Sequence, residues 1–346
     1  MNNMKQESIY NVANQKLQDF VNNDILDYER QRNYDLGVKN RKNVSNLSKY
    51  VSHRIISEYE IISCVLKKYK LRQVEKYIQE VFWRIYWKGW LENRPKVWSD
   101  FVKDCSNIKK HIGVDEAILG KTKINCFNEW VHEIKEYNYL HNHTRMWFAS
   151  IWIFTLELPW QLGAEFFMQH LYDGDAASNT LGWRWVAGVQ TQGKHYLASE
   201  WNIKKFTNNR FDNIKLNENA PPIISEKTYS IIKQDFNNPQ NIEDKNLLIF
   251  ENNLSFEITD FQSNKFKKIY LISNKNENRS IKLSEKVIKF KSLLIEDQEQ
   301  ILKAKSIDCE VIDISEIKKI ENCYGLYPTV GENLDYLNSN NLKIDF

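Results

Sequence analysis

The sequence is poor in residues that cross-link a chain or interrupt its helices and strands. Among 346 residues there are five cysteines, six prolines and eleven glycines. The cysteines are odd in number and none forms a Cys-x-x-Cys pair, which disfavours a zinc ribbon or a disulfide scaffold. An iron–sulfur cluster assembled from distant cysteines stays open, although no pattern in the sequence indicates one.

A long apolar run and a leader pattern are also missing. The longest nearly apolar run, Trp147–Leu156, is too short to span a bilayer. The first residues, Met1–Gln18, are polar and mixed in charge, unlike a signal peptide. We therefore expect a cytoplasmic protein with no membrane partner.

Charge is distributed unevenly. Residues 1–205 carry 29 Lys and Arg against 23 Asp and Glu, whereas residues 206–346 carry 19 against 22. A modest basic excess favours an anionic partner for the first region. The alternative is a solvated surface that binds nothing.

Composition also divides the chain. All eleven tryptophans lie between Trp83 and Trp201, and the sequence from about Asn208 onward is rich in Asn, Lys, Ile and Glu. Such a shift usually marks a domain boundary, and Thr207–Pro222 reads as a linker. We predict a helical domain over residues 1–212, a linker over 213–245 and a small α/β domain over 246–346.

Periodicity predicts the elements within these regions. The segment Gln73–Leu91 reads as a strong helix, and another apolar helical stripe begins at Ile55. The C-terminal region has short apolar runs at 247–250, 269–272 and 310–314 around a helix at 283–303, which is typical of a parallel sheet. It has no Gly-x-Gly-x-x-Gly or Walker A motif, so no phosphate loop is indicated there. The two predicted apolar stripes consist of Val74, Ile78, Val81 or Phe82, and Ile85, and of Ile55, Tyr59, Ile62 and Leu66.

One face of the Gln73–Leu91 helix has an unusual composition. Glu80, Trp83, Arg84 and Trp87 are spaced i, i+3, i+4 and i+7, which puts them on one side of the helix. Such a face suits a groove that stacks planar groups and hydrogen-bonds them. A buried ion pair under core tryptophans fits the spacing equally well.

Two further segments are candidates for chemistry. The loop Asp173-Gly174-Asp175 could bind a metal, orient a polar heterocycle or be a solvated turn. His141 and His143 are two residues apart, so on a helix they do not face the same way, and a zinc site is disfavoured. We expect no metal.

Together these blocks resemble the FAD-binding domain of the photolyase/cryptochrome family. The segments QEVFWRIYWKGW (79–90), LHNHTRMWFAS (140–150) and DGDAASNTLGWRWVAG (173–188) resemble its main signatures, in order. The segment NVSNLSKY (43–50) is similar to its flavin-phosphate loop, with Val44 in place of the usual Thr. The resemblance covers roughly residues 30–206 and implies a helical FAD-binding domain. Because it begins within the first fifty residues, we expect no α/β antenna domain before it and no antenna chromophore.

The resemblance implies roles around an FAD. Asp173 would pair with Arg145 beside the flavin ring, and Asp175 would accept a hydrogen bond from a ring N–H. A nearby guanidinium can stabilise an anionic reduced flavin, and Asn179 would face flavin N5. The implied cofactor-binding residues are Tyr34, Ser45, Leu47, Ser48, Tyr77, Arg84, Asn142, Arg145, Asp173, Asp175 and Asn179.

The resemblance also implies a substrate. Relatives that repair cyclobutane pyrimidine dimers have lesion contacts at the positions of Glu80, Trp83, Asn142, Met146 and Trp185. Enzymes that repair (6-4) lesions have His at the positions of Asn142 and Met146, so His141 and His143 are displaced by one residue for that chemistry. We expect UV-damaged DNA as the partner, single-stranded DNA being favoured, with Glu80 hydrogen-bonding a thymine edge of the flipped-out dimer.

Three functions compete at this point. The leading one is light-driven repair of cyclobutane pyrimidine dimers by electron transfer from excited reduced FAD. The alternatives are a cryptochrome-like blue-light receptor acting through a protein partner, and a flavoprotein relic with neither activity. Trp183 and Trp160 match the first two tryptophans of the family's electron-transfer chain. Ala117 stands where the third, at the surface, is expected, and Trp130, Trp147, Trp152 or a tyrosine could replace it.

Overall fold

The structure is a computed structural model that describes residues 7–109, 112–233, 244–254 and 266–346. Helices dominate it, and four strands form one sheet. In chain order the helices are α1 (Ile9–Asn23), α2 (Tyr28–Gln31), α3 (Ser48–Val51), α4 (Glu58–Lys68), α5 (Leu71–Glu92), α6 (Lys96–Asn107), α7 (Ile112–Leu119), α8 (Asn125–Tyr137), α9 (Asn142–Ser150), α10 (Trp160–His170), α11 (Ala176–Ala187), α12 (Glu200–Phe206), α13 (Glu285–Ala304) and α14 (Glu332–Ser339). The strands are β1 (Asn246–Phe250), β2 (Lys268–Ser273), β3 (Cys309–Asp313) and β4 (Cys323–Gly325).

The chain forms two compact units. Of the described residues, the first unit contains those within 1–23, 45–73 and 233–346, and the second contains those within 24–44 and 74–232. The division differs from the predicted boundaries because segments near the N-terminus pack with the C-terminal sheet region. The amide of Ile9 donates to both carboxylate oxygens of Asp297 at 3.0 Å, and the amide of Leu254 donates to the carbonyl of His53 at 2.9 Å.

The first unit is built on a parallel sheet with strand order β3-β2-β1-β4. Residues Leu247–Phe250 of β1 are fully buried, as expected of a parallel strand that is covered on both faces. The core on one side gathers Leu248, Phe250, Ile272 and Leu337. The prediction of a helical region together with a small parallel α/β region is confirmed. The strand β4 was not predicted, because it has only three residues. The helix α14 was not predicted either.

Helix α4 also belongs to this unit, and its predicted apolar stripe was wrong. Tyr59 is 76% exposed, whereas Ile61 and Val65 are buried. The helix begins at Glu58, with Ser57 and Glu60 forming a capping box, so Ile55 lies outside it. Extending a helical period from Ile55 therefore selected the wrong residues of α4 as its buried face.

The second unit is helical, and its core is aromatic. Trp98, Trp130, Trp147 and Trp152 are all at least 99% buried. Helix α9 continues as a π-helical turn over Ile151–Thr155. Helix α11 packs against α6, α9 and α10 and so runs through the centre of this unit.

The predicted apolar face of helix α5 is confirmed at Val74 and Ile78, which are buried, and wrong further along the helix. The helix itself is confirmed, but Phe82 and Ile85 are 52% and 42% exposed. The inward face passes through Tyr77 and Arg84, because Arg84 forms an ion pair inside the unit. No helix within the described ranges is both long and apolar enough to cross a bilayer.

Candidate functional site

The loop between α10 and α11 carries two carboxylates, each paired with an arginine. Asp173 is buried, and its two oxygens lie 3.0 and 2.8 Å from Nη2 of Arg145. The Nε of Arg145 donates to the carbonyl of Leu140 at 3.0 Å, which sets the plane of the guanidinium. Burial lowers the pKa of Arg145, but the charge of Asp173 outweighs burial and the net pKa is raised. Arg145 is therefore a fixed, permanently charged group.

Asp175 starts α11 and has two functions at once. Its Oδ1 accepts from the backbone N–H groups of Ala177 and Ser178 at 3.0 and 2.8 Å, an N-cap arrangement. Its Oδ2 lies 3.1 Å from Nη2 of Arg84 on α5. Burial raises the pKa of Asp175, but Arg84, Lys88 and the Ser178 hydrogen bonds outweigh it and the net pKa is lowered. Asp175 is thus an ionised acceptor held beside a cation.

Asn179 lies one turn after Asp175 on the same face of α11. Its side chain is buried, and its Nδ2 donates to the carbonyl of Ala164 on α10 at 2.8 Å. This bond orients the amide, so Asp175 and Asn179 present oriented polar atoms along one side of α11. The third interpretation of the 173–175 loop, a solvated turn, is excluded by this burial and pairing.

The face of α5 predicted to contact DNA is partly exposed. The carboxylate of Glu80 lies 2.7 Å from Nη1 of Arg32 and 3.7 Å from Nζ of Lys76. Trp83 is 43% exposed and stacks on Trp87 with ring centroids 5.8 Å apart. A buried ion pair beneath core tryptophans, the alternative for this face, is therefore wrong for Glu80 and Trp83.

Helices α9 and α11 hold the other predicted lesion contacts. Asn142 is exposed at the first position of α9, and Met146 is half-buried one turn later. Trp185 is 37% exposed and stacks on Tyr196 at 5.9 Å. Burial raises the pKa of Tyr196 to about 12, so its hydroxyl stays protonated.

The two histidines that flank Asn142 are structural. The Nδ1 of His141 accepts from the amide of His143 at 3.2 Å and caps α9. The Nδ1 of His143 lies 2.9 Å from the carbonyl of Asn33. Among the residues that the structure describes, no three or more His, Cys, Asp or Glu side chains converge to hold a metal ion.

Beneath His141 lies a buried charged network that sequence reasoning missed. Asp35 is fully buried, accepts from Thr144 Oγ1 at 2.8 Å and pairs with Arg210 at 3.1 Å. Arg41 pairs with Glu133. Burial raises the pKa of Asp35, but Arg210 and Arg41 outweigh it and the net pKa is lowered. Arg32 was also missed; a charge 48 residues from Glu80 leaves no local pattern.

The predicted phosphate loop belongs to the other compact unit. Leu47 is buried, and Ser48 opens α3 with a buried Oγ that has no hydrogen-bond partner among the described residues. Tyr34 and Tyr77 belong to the second unit. Their rings pack edge-on against Phe206 and Tyr28, each at 5.0 Å. Whether Ser45, Leu47 and Ser48 act with the second-unit residues stays a prediction.

The predicted electron-transfer residues lie in the aromatic core. Trp183 of α11 is buried, and its ring centroid is 5.1 Å from that of Phe167 and 6.2 Å from that of Trp152. Trp160 is 8% exposed and stacks on Phe101 at 5.7 Å. Ala117 is fully buried in α7.

The chemistry of these groups fits an FAD. Asp175 can accept from a flavin N–H, and Arg145 carries a fixed positive charge that suits an anionic reduced ring. The unpartnered Ser48 hydroxyl is a donor of the type that binds a phosphate oxygen.

Residues 77–215 match the family model described as the FAD binding domain of DNA photolyase. The deoxyribodipyrimidine photo-lyase of Buchnera aphidicola (subspecies Baizongia pistaciae) is 28% identical over 178 residues, covering 48% of this chain and 36% of that protein. That of Neurospora crassa is 28% identical over 197 residues, covering 54% of this chain and 31% of that protein. The chain thus spans less than half the length of these relatives.

Solved structures agree on the fold. A class III photolyase from Agrobacterium tumefaciens superposes with a TM-score of 0.50 at 22% identity, covering 57% of this chain and 42% of that one. A Synechocystis cryptochrome gives 0.51 at 18% identity, covering 59% and 44%.

Proposed function

We propose that the protein repairs cyclobutane pyrimidine dimers in DNA with light, using an FAD-binding domain over residues 77–215, which match the family model described as the FAD binding domain of DNA photolyase. The observation that carries the proposal is the exposed face of α5. Trp83 is 43% exposed one turn from a Glu80 carboxylate that is oriented by Arg32. A large exposed indole beside an oriented acceptor suits a planar ligand with N–H groups.

In this mechanism the protein's own residues bind the flipped-out dimer and orient it. Trp83 and Trp185 stack on the faces of the flipped-out dimer, and Met146 packs against it. Glu80 accepts from a thymine N–H, and Asn142 contacts the lesion from α9. When bound, reduced FAD supplies the photochemical electron.

The proposal assigns the flavin to residues along α5, α9 and α11. Asp175 and Arg84 hold the polar edge of the ring, Arg145 with Asp173 stabilises its negative charge, and Asn179 faces N5. Tyr34, Tyr77 and Asn142 line the cofactor. Ser45, Leu47 and Ser48 bind the pyrophosphate through backbone N–H and hydroxyl groups, as the resemblance of their loop implies.

Single-stranded DNA is the preferred substrate in this proposal. Affinity for duplex DNA comes largely from neutralising phosphates, and the basic excess of residues 1–205 is small. Base stacking on exposed aromatic rings does not require a duplex. We expect irradiated oligo(dT) to bind more tightly than the same lesion in a duplex at matched salt; equal affinities would contradict this preference.

The test is dimer loss from irradiated oligo(dT) in blue light, followed by ultraviolet absorbance. Reduced wild-type protein should repair it, whereas a blue-light receptor or an inactive flavoprotein should not. Glu80→Ala should lower the repair rate about 10- to 100-fold, since a hydrogen bond to a charged group contributes about 1.5–3 kcal/mol. The matched control is Glu75→Ala, an exposed position on α5. If Glu80→Ala repairs dimers at the wild-type rate, the assignment of Glu80 as a lesion contact is wrong.

A further inference from the structure

Trp183 touches a second buried tryptophan, Trp152, which lies on the π-helical turn between α9 and α10. The two indoles meet edge to face, with centroids 6.2 Å apart and planes at 87°. Both are buried, at 3% and 0% exposure. Such edge-to-face pairs are within the usual contact range of aromatic rings.

The neighbouring helix is built around this contact. A Cβ added to Gly163 of α10 would lie 2.3 Å from Trp183 and 3.0 Å from Trp152. The two rings therefore converge on the same point beside Gly163. The π-helical turn, closed by a bond from the Leu156 amide to the Ile151 carbonyl at 2.8 Å, sets the position of Trp152.

The surroundings of the two indole N–H groups differ. The Nε1 of Trp183 is buried with no hydrogen-bond acceptor in the described part of the chain. The Nε1 of Trp152 donates to the carbonyl of Pro159 at 2.8 Å. A carbonyl dipole at the N–H stabilises positive charge on the ring, because hydrogen bonds strengthen when the donor is charged. An electron vacancy is therefore more stable on Trp152 than on Trp183.

We propose that Trp152 is an electron donor to Trp183 during light-driven reduction of the bound flavin. The inference rests on the proposed flavin function. Trp183 gives one electron to the photoexcited flavin and becomes a radical cation, and Trp152 returns one electron to it. Neither indole loses its proton, because Trp183 has no acceptor among the described residues and the partner of Trp152 is a carbonyl, which is a very weak base.

The electron vacancy on Trp152 can then move out of the core by way of Trp160. Pro159, the acceptor of the Trp152 N–H, is followed directly by Trp160, which is 8% exposed. Trp160 gives one electron to Trp152 and takes one from a thiol in solution. The thiol loses its proton to water and leaves as a thiyl radical, so electrons and protons balance. This route needs no tryptophan at Ala117.

The experiment is anaerobic photoreduction of the FAD-loaded full chain with added thiol. Trp152→Phe should slow photoreduction at least about tenfold and shorten the life of the indole radical seen by transient absorption. Trp130→Phe is the matched control, because Trp130 is equally buried but packs on Trp147 and Phe211. It should photoreduce at the wild-type rate. Trp152→Tyr, which keeps an oxidisable ring, should be faster than Trp152→Phe.

Two companion measurements separate the possible failures. The flavin content and the unfolding curve of Trp152→Phe show whether slower photoreduction comes from a damaged structure. If Trp152→Phe does not retain FAD, the radical signal of Trp152→Tyr tests the inference in its place. Photoreduction of Trp152→Phe at the wild-type rate, or an equal loss in Trp130→Phe, would overturn the inference. Repair by chemically reduced Trp152→Phe should remain at wild-type level. Absence of repair in chemically reduced wild type would instead overturn the proposed function.

Discussion

Arg84 and Asp175 are 91 residues apart in sequence, and their side chains meet at 3.1 Å. The contact joins α5, which carries Glu80 and Trp83, to the first turn of α11, which carries Asn179. Because Asp175 also caps α11, one carboxylate fixes both the position of that helix and the orientation of a cation beside it. The face proposed to contact DNA and the face proposed to contact flavin are therefore held together by this ion pair.

Asp175→Asn should separate the two functions of this residue. Asparagine caps a helix about as well as aspartate does, so α11 should persist. The negative charge facing Arg84 is lost, and we expect FAD to bind at least about tenfold more weakly, or about 1.4 kcal/mol. Flavin absorbance retained after gel filtration measures this, with exposed Asp115→Asn as control. Full flavin retention in Asp175→Asn would show that the charge has no such function.

Gly163→Ala tests the closeness of Trp183 and Trp152 by stability alone. The new methyl group would lie 2.3 Å from Trp183, so the ring must move, and overpacking of this kind costs about 1–3 kcal/mol. Gly182→Ala on α11 meets nothing within 4 Å and should be neutral or stabilising by up to about 1 kcal/mol. Urea unfolding of both variants measures the difference. Equal stabilities would mean that the core has room beside Gly163.

Local patterns predicted the strongest elements because those elements repeat a residue type at a regular spacing. The helix at 73–91 and the runs at 247–250 and 269–272 are of this kind. Which residues of a helix are buried was less predictable, because contacts with residues far away in sequence determine the buried face. Arg84 lies inward, where Asp175 neutralises its charge, and the neighbouring Ile85 is 42% exposed.

Contacts of the candidate site were predictable where both residues lie in segments that resemble the family. They were unpredictable where an ion pair joins isolated residues outside any pattern. The pairing of Arg145 with Asp173 was predicted from that resemblance and is confirmed by the geometry. The pairing of Arg32 with Glu80 and the burial of Asp35 were not, because neither leaves a spacing signal. The division into compact units was also missed, since Ser48 and Asp175 lie in segments of one continuous resemblance.

Arg279→Met should destabilise the first unit strongly. Arg279 is buried, pairs with Glu251 and lies 2.8 Å from Glu332. Burial raises the pKa of Glu251, but Arg279 and Lys291 outweigh it and lower the pKa to about 2. Removing the arginine leaves two carboxylates with Lys291 as the one paired cation among the described residues, a loss of about 3–5 kcal/mol.

Urea unfolding at neutral pH measures this loss. Lys303→Ala is the control, because it removes an exposed pair with Glu299 at 2.7 Å and should change nothing measurable. A wild-type midpoint in Arg279→Met would mean that the unit does not depend on its buried charges.

The pH dependence of stability should depend on His141. Burial lowers the pKa of this side chain from 6.5 to about 4, because the ring lies in the core and its Nδ1 accepts from the His143 amide. The folded protein therefore holds His141 neutral while the unfolded chain takes up a proton below pH 6.5. Stability from this group is fully present above pH 6.5 and is lost as the pH falls towards 4, by up to about 1.4 kcal/mol per pH unit. His170, whose pKa burial also lowers to about 4, and His143, whose pKa burial lowers as well, add protons with the same sign.

His141→Asn removes one of these three protons and keeps an acceptor at the start of α9. We expect the slope of unfolding free energy against pH, between 6.5 and 4, to fall by about a third in this variant, since two of the three linked histidines remain. The exposed His132→Asn is the control and should keep the wild-type slope. Urea titrations at a series of pH values give the slopes directly. A wild-type slope in His141→Asn would mean that the His141 ring is solvated and titrates in the folded protein as it does in the unfolded chain.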